Sequence, residues 1–396
     1  MKRIAIVTGG NTDDRKGFLN ATIERIKYLS KYSSYEIDVI IIQEYEGWLV
    51  RKLRKTAKRN RPKEVVIDGI RFNNVWFKFS IIDYILLSKL HKREVVKPHF
   101  LKKVAKMLAS YDLISFQSYS PLVKYVSMMY NKPFTITWHG SDIHSHPFNS
   151  KMVFEDTKSA IEGASANFFV SKGLLLTSNR ITEKGCKILS YNGVDTNRFK
   201  VLSNLEKSEC RNRFGISKEC INIAFCGNLF EVKNVLSLPA IFSHIHQELP
   251  SARFFIAGSG KLKSKMEQGF SELNVPVTFV GNLKPDEMPS FLNVVDLVVL
   301  PSKNEGLPLI IVEALSCGAK CVAAMVGGIP EILSEHFCVE HGKDFDIRFA
   351  KTCLSALKQE KPSVPSFISW DETGRLEAQT YLNILENKDF SPIKLT

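Results

Sequence analysis

Short apolar runs alternate with amphipathic stretches along the first half of the chain. Continuous apolar runs of four to six residues, bounded by turn residues, are typical of strands buried on both faces of a parallel sheet. The strands predicted in this way are residues 4–8, 37–42, 113–116, 134–138 and 167–170. The pattern therefore predicts an α/β fold in which helices cover both faces of a parallel sheet.

The same alternation begins again after Phe199. Its predicted strands are 221–225, 253–257, 277–280, 297–300, 320–324 and 338–339, and its predicted helices are 235–248, 261–273, 285–293 and 309–317. Two successive α/β halves predict an N-terminal domain at 1–195 and a C-terminal domain at 196–368. The last segment, 369–396, carries a helical pattern at 369–387, and we expect this helix to cross back to the N-terminal domain.

The composition narrows the class of protein. Of the 396 residues, 44% are hydrophobic and 24% are charged, as in soluble globular proteins with a sizeable core. All eight cysteines follow residue 185, and none forms a C-x-x-C pair or a zinc-like spacing with histidine, so we expect a reducing, cytoplasmic setting. No stretch approaches the roughly eighteen consecutive apolar residues that cross a bilayer.

The net charge of +13 is concentrated in one segment. Residues 48–106 contain 17 basic and four acidic side chains, whereas the rest of the chain has 37 of each sign. Such a patch suits anionic lipid, a phosphorylated acceptor or nucleic acid, and it also fits a merely solvated basic face. Four aromatic residues interleave with the basic ones and favour the nucleic-acid alternative, namely Trp48, Phe72, Trp76 and Phe77.

The loop after the predicted strand 297–300 carries the clearest candidate chemistry. It contains Glu305 and Gly306, and it leads into a helix that carries Glu313. Free N–H groups at a helix start bind anions such as phosphate, and carboxylates accept hydrogen bonds from sugar hydroxyls. One elongated ligand with a phosphate between two sugars fits this arrangement. Taken alone, the two glutamates also fit a helix-start residue and a solvated helix position.

A longer segment around this loop resembles the signature of glycosyltransferase family 4. It reads VVDLVVLPSKNEGLPLIIVEALSCGAKCVAAMVGGIPEIL at 294–333, and similar segments flank it in the expected order at 189–199, 225–233, 255–260 and 279–282. In the first half, residues 138–142 resemble the family's active-site histidine loop. The resemblance implies a GT-B fold, in which two Rossmann-like parallel-sheet domains face each other across a cleft.

The resemblance also implies roles for individual residues. Lys233 would neutralise the donor diphosphate, Glu305 would hydrogen-bond the transferred sugar, and His139 would touch that sugar near the reacting carbon. Glu313 would bind the ribose. The other implied donor-binding positions are Gly10, Gly227, Asn228, Asn282, Ser302, Gly306, Leu307 and Pro308. Asn228 stands where proteins of this type usually carry arginine, so more of the diphosphate charge falls to Lys233.

The implied activity is retaining transfer of a hexosyl group from a nucleotide sugar, with UDP as the expected carrier and no metal or other cofactor. The acceptor would be a glycan or lipid-linked molecule of cell-surface polysaccharide synthesis. We expect peripheral contact with an anionic membrane at the inner face of the cell membrane, through Lys92, Arg93, Lys102 and Lys103, and no nucleic-acid partner. The stretch 87–108 mixes apolar residues with lysines, as interfacial helices do.

Two alternative functions stay open at this point. The first is nucleic-acid binding through the basic segment 48–106, and the second is a sugar-nucleotide epimerase of the same fold.

Two further motifs, one typical of a metal site and one of a dinucleotide site, are only weak evidence for such sites. Asp344 and Asp346 form a D-x-D pattern, but Asp346 is more simply the N-cap of a helix that begins near Ile347. The glycines 258 and 260 begin a dinucleotide fingerprint, yet Lys263 replaces its third glycine.

Overall fold

The structure, a computed structural model, describes residues 2–9, 17–56, 58, 60–82, 85 and 98–387. Contacts between residues divide the chain into two compact units. The first unit comprises Met1–Phe169, Leu175–Ser190 and Thr373–Thr396, and the second comprises Val170–Leu174 and Tyr191–Glu372. The main division thus falls between residues 190 and 191, whereas the sequence analysis put it between 195 and 196.

The first unit contains an eight-stranded sheet. Its strands are β1 (Arg3–Gly9), β2 (Glu36–Glu46), β3 (Glu64–Ile67), β4 (Ile70–Phe79), β5 (Leu113–Phe116), β6 (Phe134–Trp138), β7 (Ala166–Phe169) and β8 (Lys187–Leu189). Their order is β3-β4-β2-β1-β5-β6-β7-β8, and only the β3–β4 pair is antiparallel. The direction of strand succession reverses between β1 and β5, as in Rossmann-like sheets.

The β3–β4 hairpin was not predicted from the sequence. Asp68 and Gly69 join the two strands with φ values of 49° and 81°. Positive φ at both residues of a two-residue loop defines the turn that matches the twist of an antiparallel pair, and Asp-Gly is among its preferred sequences. The hairpin lies within the basic segment, where charged residues hide the alternation of apolar positions.

The second unit contains a six-stranded sheet in which every neighbouring pair is parallel. Its strands are β9 (Asn222–Cys226), β10 (Arg253–Ala257), β11 (Val277–Gly281), β12 (Leu297–Leu300), β13 (Lys320–Ala324) and β14 (Cys338–Val339). The order β11-β10-β9-β12-β13-β14 is that of a dinucleotide-binding Rossmann sheet. All residues of β9 and β12 are buried, because helices cover both faces of the sheet.

The helices complete the two layers around each sheet. In chain order they are α1 (Gly17–Tyr32), α2 (Trp48–Arg54), α3 (Pro98–Leu108), α4 (Leu122–Tyr130), α5 (Ser141–His144), α6 (Lys151–Gly163), α7 (Lys172–Asn179), α8 (Asn204–Phe214), α9 (Leu238–Glu248), α10 (Lys263–Glu272), α11 (Met288–Leu292), α12 (Leu309–Cys317), α13 (Phe345–Lys358) and α14 (Trp370–Leu385). Within the part of the chain described, none of these helices is long and apolar enough to cross a membrane. The predicted α/β class with two Rossmann-like parallel-sheet domains is confirmed.

The last helix, α14, packs into the core of the first unit. Its residues Ala378, Tyr381 and Leu385 join the apolar cluster formed by β1, β2 and α1. The Tyr381 hydroxyl donates a hydrogen bond of 2.7 Å to the Ser115 hydroxyl in β5. These contacts are made although more than 260 residues of sequence separate the partners.

A buried ion pair between Arg25 of α1 and Glu377 of α14 also ties the last helix to the first unit. Both side chains are 1% exposed, and the Arg25 guanidinium also donates a hydrogen bond of 2.6 Å to the Ser190 carbonyl. Burial raises the pKa of Glu377, and the Arg25 charge opposes that rise. A charge buried to this extent is tolerated only while its partner is present.

We therefore expect Glu377→Ala to lower the free energy of unfolding of the first unit by about 3–5 kcal/mol, because it removes the carboxylate that compensates the buried Arg25 charge. Hydrogen exchange of the β1 and β5 amides measures this loss within the unit concerned. Gln379→Ala, which changes an exposed position of the same helix, is the matched control. Equal exchange rates in the two variants would contradict the prediction.

Candidate functional site

The strand order of the second sheet reverses between β9 and β12, which are direct neighbours. Side chains and loops at the carboxyl ends of strands on either side of such a reversal form the usual ligand site of an open α/β sheet. The loop after β9 begins at Gly227, and the loop after β12 begins at Pro301. The two loops meet, since the Lys303 amide donates a hydrogen bond of 2.8 Å to the Val232 carbonyl.

Lys233 and Glu305, one from each loop, are in direct contact. The Lys233 ammonium lies 2.5 Å from one Glu305 carboxylate oxygen. The two side chains are 22% and 9% exposed, so water screens the pair only partly. Lys233 ends a single 3-10 turn, and Asn234 follows it in the left-handed region with φ of 50°. Two residues that the family resemblance singled out are thus brought together.

Glycines hold the loop after β9 in place. The Gly227 amide donates to the Ala257 carbonyl, and the Leu229 amide donates to the Ser259 carbonyl, both at 2.9 Å. A Cβ atom at Gly258 would lie 1.9 Å from the Gly227 carbonyl oxygen, and one at Gly260 would lie 2.4 Å from that of Leu229. The two glycines of the incomplete dinucleotide fingerprint therefore serve the close approach of two backbone segments.

A second glycine turn, after β13, fixes the backbone at Glu305. Gly327 has φ of 57°, and a Cβ atom there would lie 1.8 Å from the Glu305 carbonyl oxygen. The amide of Gly328 donates a hydrogen bond of 2.7 Å to the Gly306 carbonyl. The Gly-Gly pair of the family signature thus fixes the backbone of Glu305 and Gly306.

The helix that follows Glu305 begins at the residue that the sequence predicted. Helix α12 starts at Leu309 with Pro308 at the N-cap, and no side chain caps it. Gly306, Leu307 and Pro308 are buried in the loop before it. The Ile311 amide donates to the Pro308 carbonyl at 3.2 Å, so the first-turn amides that precede Ile311 are the donors that an anion would meet at this helix start.

Glu313 lies one turn further along α12 and is half-buried. Burial raises the pKa of the Cys226 thiol at the end of β9, and the charge of Glu313 raises it further. The charge of the Glu313 carboxylate therefore reaches the last residue of β9, the strand that the Lys233 loop follows. This placement agrees with one ligand spanning both glutamates.

Three further predicted positions differ in their surroundings. Ser302 is fully buried, and its hydroxyl has no hydrogen-bond partner among the described residues. Asn228 is half-buried in the loop after β9, whereas Asn282 is exposed beyond the edge strand β11.

His341, which the sequence did not single out, places its Nε2 atom 2.9 Å from the Ser302 carbonyl oxygen. A lone histidine after a two-residue strand gives no signal in the sequence.

His139 lies in the first unit, directly after β6. Asp142 accepts hydrogen bonds from the backbone amides of His139, at 3.2 Å, and Gly140, at 2.8 Å, and so shapes the loop. The imidazole meets the Phe18 ring edge-on at 4.9 Å, and its Nε2 atom is buried with no partner among the described residues. Burial lowers the pKa of His139 well below its ordinary value, and the Arg25 charge lowers it further. The ring is therefore neutral at physiological pH.

The predicted acceptor and membrane residues are only partly within the described chain. Lys92 and Arg93 lie outside the described residues, as does Gly10, which was predicted to bind the donor. Lys102 and Lys103 are exposed on α3, but the apolar side of that helix is packed in the protein, through Leu101, Val104, Ala105 and Leu108. In its described part, α3 is therefore an ordinary surface helix and does not offer an apolar face to a membrane.

The D-x-D pattern is placed differently from its prediction. Helix α13 begins at Phe345, and Asp344, with φ of 54°, occupies the N-cap without a capping hydrogen bond from its side chain. Asp346 therefore lies inside the first turn and does not cap the helix. Among the residues described, no group of three or more His, Cys, Asp or Glu side chains is arranged to hold a metal ion.

Comparisons with known proteins agree with this architecture. Residues 220–359 match the family model "Glycosyl transferases group 1". The chain is 26% identical over 307 residues to the putative teichuronic acid biosynthesis glycosyltransferase TuaC of Bacillus subtilis, an alignment that covers 76% of this chain and 75% of TuaC. It is 27% identical to the N-acetyl-alpha-D-glucosaminyl L-malate synthase of Bacillus anthracis, covering 50% of this chain and 51% of that one.

Solved structures show the same fold over nearly the whole chain. HepE of Anabaena, solved in complex with UDP-glucose, superposes with a TM-score of 0.65 and 17% identity, covering 97% of each chain. Sucrose-phosphate synthase of Thermosynechococcus elongatus superposes with a TM-score of 0.69 and 15% identity, covering 98% of this chain and 97% of the synthase. The solved structures support the GT-B fold, and the family model and TuaC make the chain similar to glycosyltransferases.

Proposed function

We propose that the chain is a retaining glycosyltransferase of family 4 that moves a hexosyl group from a UDP-sugar to a glycan or lipid-linked acceptor in cell-surface polysaccharide synthesis. The observation that carries the proposal is the Lys233–Glu305 pair at the reversal point of the second sheet. The name of TuaC supports the pathway class, and the UDP-glucose bound to HepE supports the choice of nucleotide.

The second unit supplies the groups that a nucleotide sugar needs. An ammonium group has three N–H donors, so Lys233 can hold Glu305 with one of them and the donor diphosphate with the others. The first-turn amides of α12 and the Asn228 amide add neutral donors to the same phosphate, and Gly227, whose own amide is bonded to Ala257, lines it. Glu305 then receives hydrogen bonds from the transferred sugar, and Glu313 receives them from the ribose. The buried Ser302 hydroxyl and the exposed Asn282 complete the proposed donor contacts.

The chemistry follows from the charge that develops as the donor bond breaks. The departing nucleoside diphosphate gains negative charge, and a preorganised cation beside it lowers the barrier. Because Asn228 carries no charge, Lys233 is the cation of this loop, and the proposed reaction uses no metal or other cofactor. A carboxylate held by an ammonium is a poor nucleophile, so Glu305 positions the sugar and the acceptor attacks on the face that the diphosphate leaves.

His139 is proposed to contact the transferred sugar. Its neutral ring carries one buried nitrogen without a partner among the described residues, which is the state expected of a group that a ligand completes. A neutral imidazole can both donate to and accept from sugar hydroxyls, whereas an imidazolium can only donate.

A screen of sugar nucleotides by thermal unfolding tests the proposed donor. A ligand that binds only the native state stabilises it, by about 2.7 kcal/mol at a hundredfold excess over its dissociation constant. We expect UDP-sugars to raise the melting temperature and NMR analysis of the product to show the donor's anomeric configuration. Conversion of the sugar without an acceptor would indicate an epimerase instead, and an inverted anomer would contradict retention.

Lys233→Ala should reduce turnover by about a hundredfold or more, since one preorganised contact to developing charge contributes about 3–4 kcal/mol. Initial rates at saturating donor measure this effect. Lys265→Ala removes the same charge from an exposed position of α10 and serves as the control. Turnover of Lys233→Ala close to that of the control would remove Lys233 from the proposed mechanism.

We also propose that the first unit contacts an anionic membrane peripherally, because its basic segment includes the exposed Lys102 and Lys103. Each basic residue near an anionic surface contributes about 1 kcal/mol of attraction, which salt screens. Flotation with vesicles containing anionic lipid should therefore recover the protein at low salt and release it at high salt. Protein that stays with the unbound fraction at low salt would contradict the contact.

A further inference from the structure

A cavity of about 480 Å³ lies in the first unit, at the carboxyl ends of β2 and β4. These strands are parallel neighbours, and their last residues, Glu46 and Phe79, are paired in register. The chain after β2 turns through Gly47 into α2, and this turn forms one wall of the cavity. We call this cavity the basic pocket, because its lining includes Arg51, Lys58, Arg61 and Lys78.

The charges of the basic pocket favour an anion. Its four cationic side chains face two carboxylates, those of Glu44 and Glu46. Glu46 is already engaged, since it accepts hydrogen bonds from the Arg54 guanidinium, at 2.7 Å, and from the Thr56 hydroxyl. The lining therefore carries four cationic side chains against two carboxylates, and the charge of Arg51 also acts on Glu46, whose pKa it lowers.

Two of the cations are placed to receive a ligand. The Arg61 guanidinium lies 4.3 Å from the centre of the Tyr45 ring, which orients its plane without using its hydrogen-bond donors. The Arg51 side chain makes no hydrogen bond or ion pair with any residue in the described part of the chain. Arginine presents a fork of N–H groups that matches phosphate oxygens in pairs, so two such groups suit a phosphate better than a single charge would.

Apolar side chains lie next to this charge. Helix α2 is anchored by the buried Val50, while Trp48, Leu49 and Leu53 are 65%, 40% and 59% exposed. Trp48 itself lines the pocket. Exposed apolar groups of this size beside a cationic cavity suit a molecule that joins a phosphate to a hydrocarbon chain.

The place of the pocket in the sheet limits the ligand further. The carboxyl ends of parallel strands all lie on the same side of the sheet. The pocket, at the ends of β2 and β4, is therefore on the same side as His139, which follows β6. Three inter-strand steps separate β2 from β6, which corresponds to roughly 14 Å at about 4.8 Å a step. An anionic group in the pocket is therefore remote from the sugar that His139 is proposed to touch.

We propose that the basic pocket binds the diphosphate of a lipid-linked acceptor, with Arg51 and Arg61 as its principal ligands. This inference rests on the proposed transferase function and extends it to the acceptor. It implies an acceptor with more than one sugar between the diphosphate and the accepting hydroxyl, because the pocket lies several strands away from His139.

Calorimetric titration with farnesyl diphosphate and with inorganic diphosphate tests the pocket in the full-length protein. The titrations are repeated in Lys233→Ala, so that any diphosphate held by the donor loop is removed from the signal. We expect binding to persist in Lys233→Ala and to weaken about tenfold or more in Arg51→Ala and in Arg61→Ala, as loss of a charged hydrogen bond implies. Arg71→Ala, which removes an exposed arginine near the opposite end of β4, should bind as the wild type does.

The outcomes separate the sources of the phosphate. Tighter binding of farnesyl diphosphate than of inorganic diphosphate supports a lipid-linked ligand, and equal binding dependent on both arginines supports the diphosphate site alone. Binding unaffected by either arginine overturns the proposal. So does a loss of vesicle flotation in the two variants with diphosphate binding intact, because the pocket would then serve lipid headgroups of the membrane.

Failure of this inference can be told from failure of the proposed function. If no UDP-sugar is bound or turned over while diphosphate binding still depends on Arg51 and Arg61, the transferase assignment fails and the pocket stands. If transfer proceeds at equal rates and equal acceptor KM in wild type, Arg51→Ala and Arg61→Ala, the pocket assignment fails alone. Thermal unfolding of each variant verifies that the exposed substitutions leave the fold intact.

Discussion

The hydrogen-bonded parallel sheet, buried on both faces, is the constraint on which the rest of this protein depends. In both sheets the central strands are fully buried, so their side chains contribute packing and internal hydrogen bonds, such as that of Ser115, and do not meet a ligand. The polar groups that can bind a ligand lie in the loops at the carboxyl ends of the strands. There the backbone no longer takes part in the hydrogen bonds of the sheet, and helix starts offer free amides. The proposed donor site, His139 and the basic pocket each follow directly after a strand end for this reason.

Much of the fold could be predicted from the sequence, because strands buried on both faces are continuous apolar runs. All the predicted strands of the second half were found, and the fully buried β12 agrees at both ends. The β3–β4 hairpin was missed because it is half-exposed and strongly charged, so the apolar pattern is weak there. The start of α12 was predicted correctly, whereas α13 begins two residues before its predicted start, because Asp344 and not Asp346 occupies the N-cap.

The candidate site was predictable only in part. Lys233 and Glu305 lie 72 residues apart, and nothing in their spacing predicts the contact that joins them. The family resemblance singled out both residues, whereas the supporting glycines at 258, 260 and 327 acquire their meaning only when the opposing carbonyl groups are in place. His341 carries no sequence signal. The excess of basic residues at 48–106 was apparent in the sequence, but the pocket that some of them line depends on how β2, β4 and α2 come together.

The packing of α14 has a consequence for the order in which the protein is built. On the ribosome, β1 and α1 emerge before the second unit, but Glu377, the ion-pair partner of Arg25, and the α14 residues of the surrounding apolar cluster emerge only with the last helix. Apart from a short stretch at 170–174, the second unit is contiguous from Tyr191 to Glu372, and all of it precedes that helix. The unit whose strands are translated earlier is therefore the unit whose core is completed later. Until the last helix packs, the apolar surface that it covers stays exposed to the folding machinery of the cell.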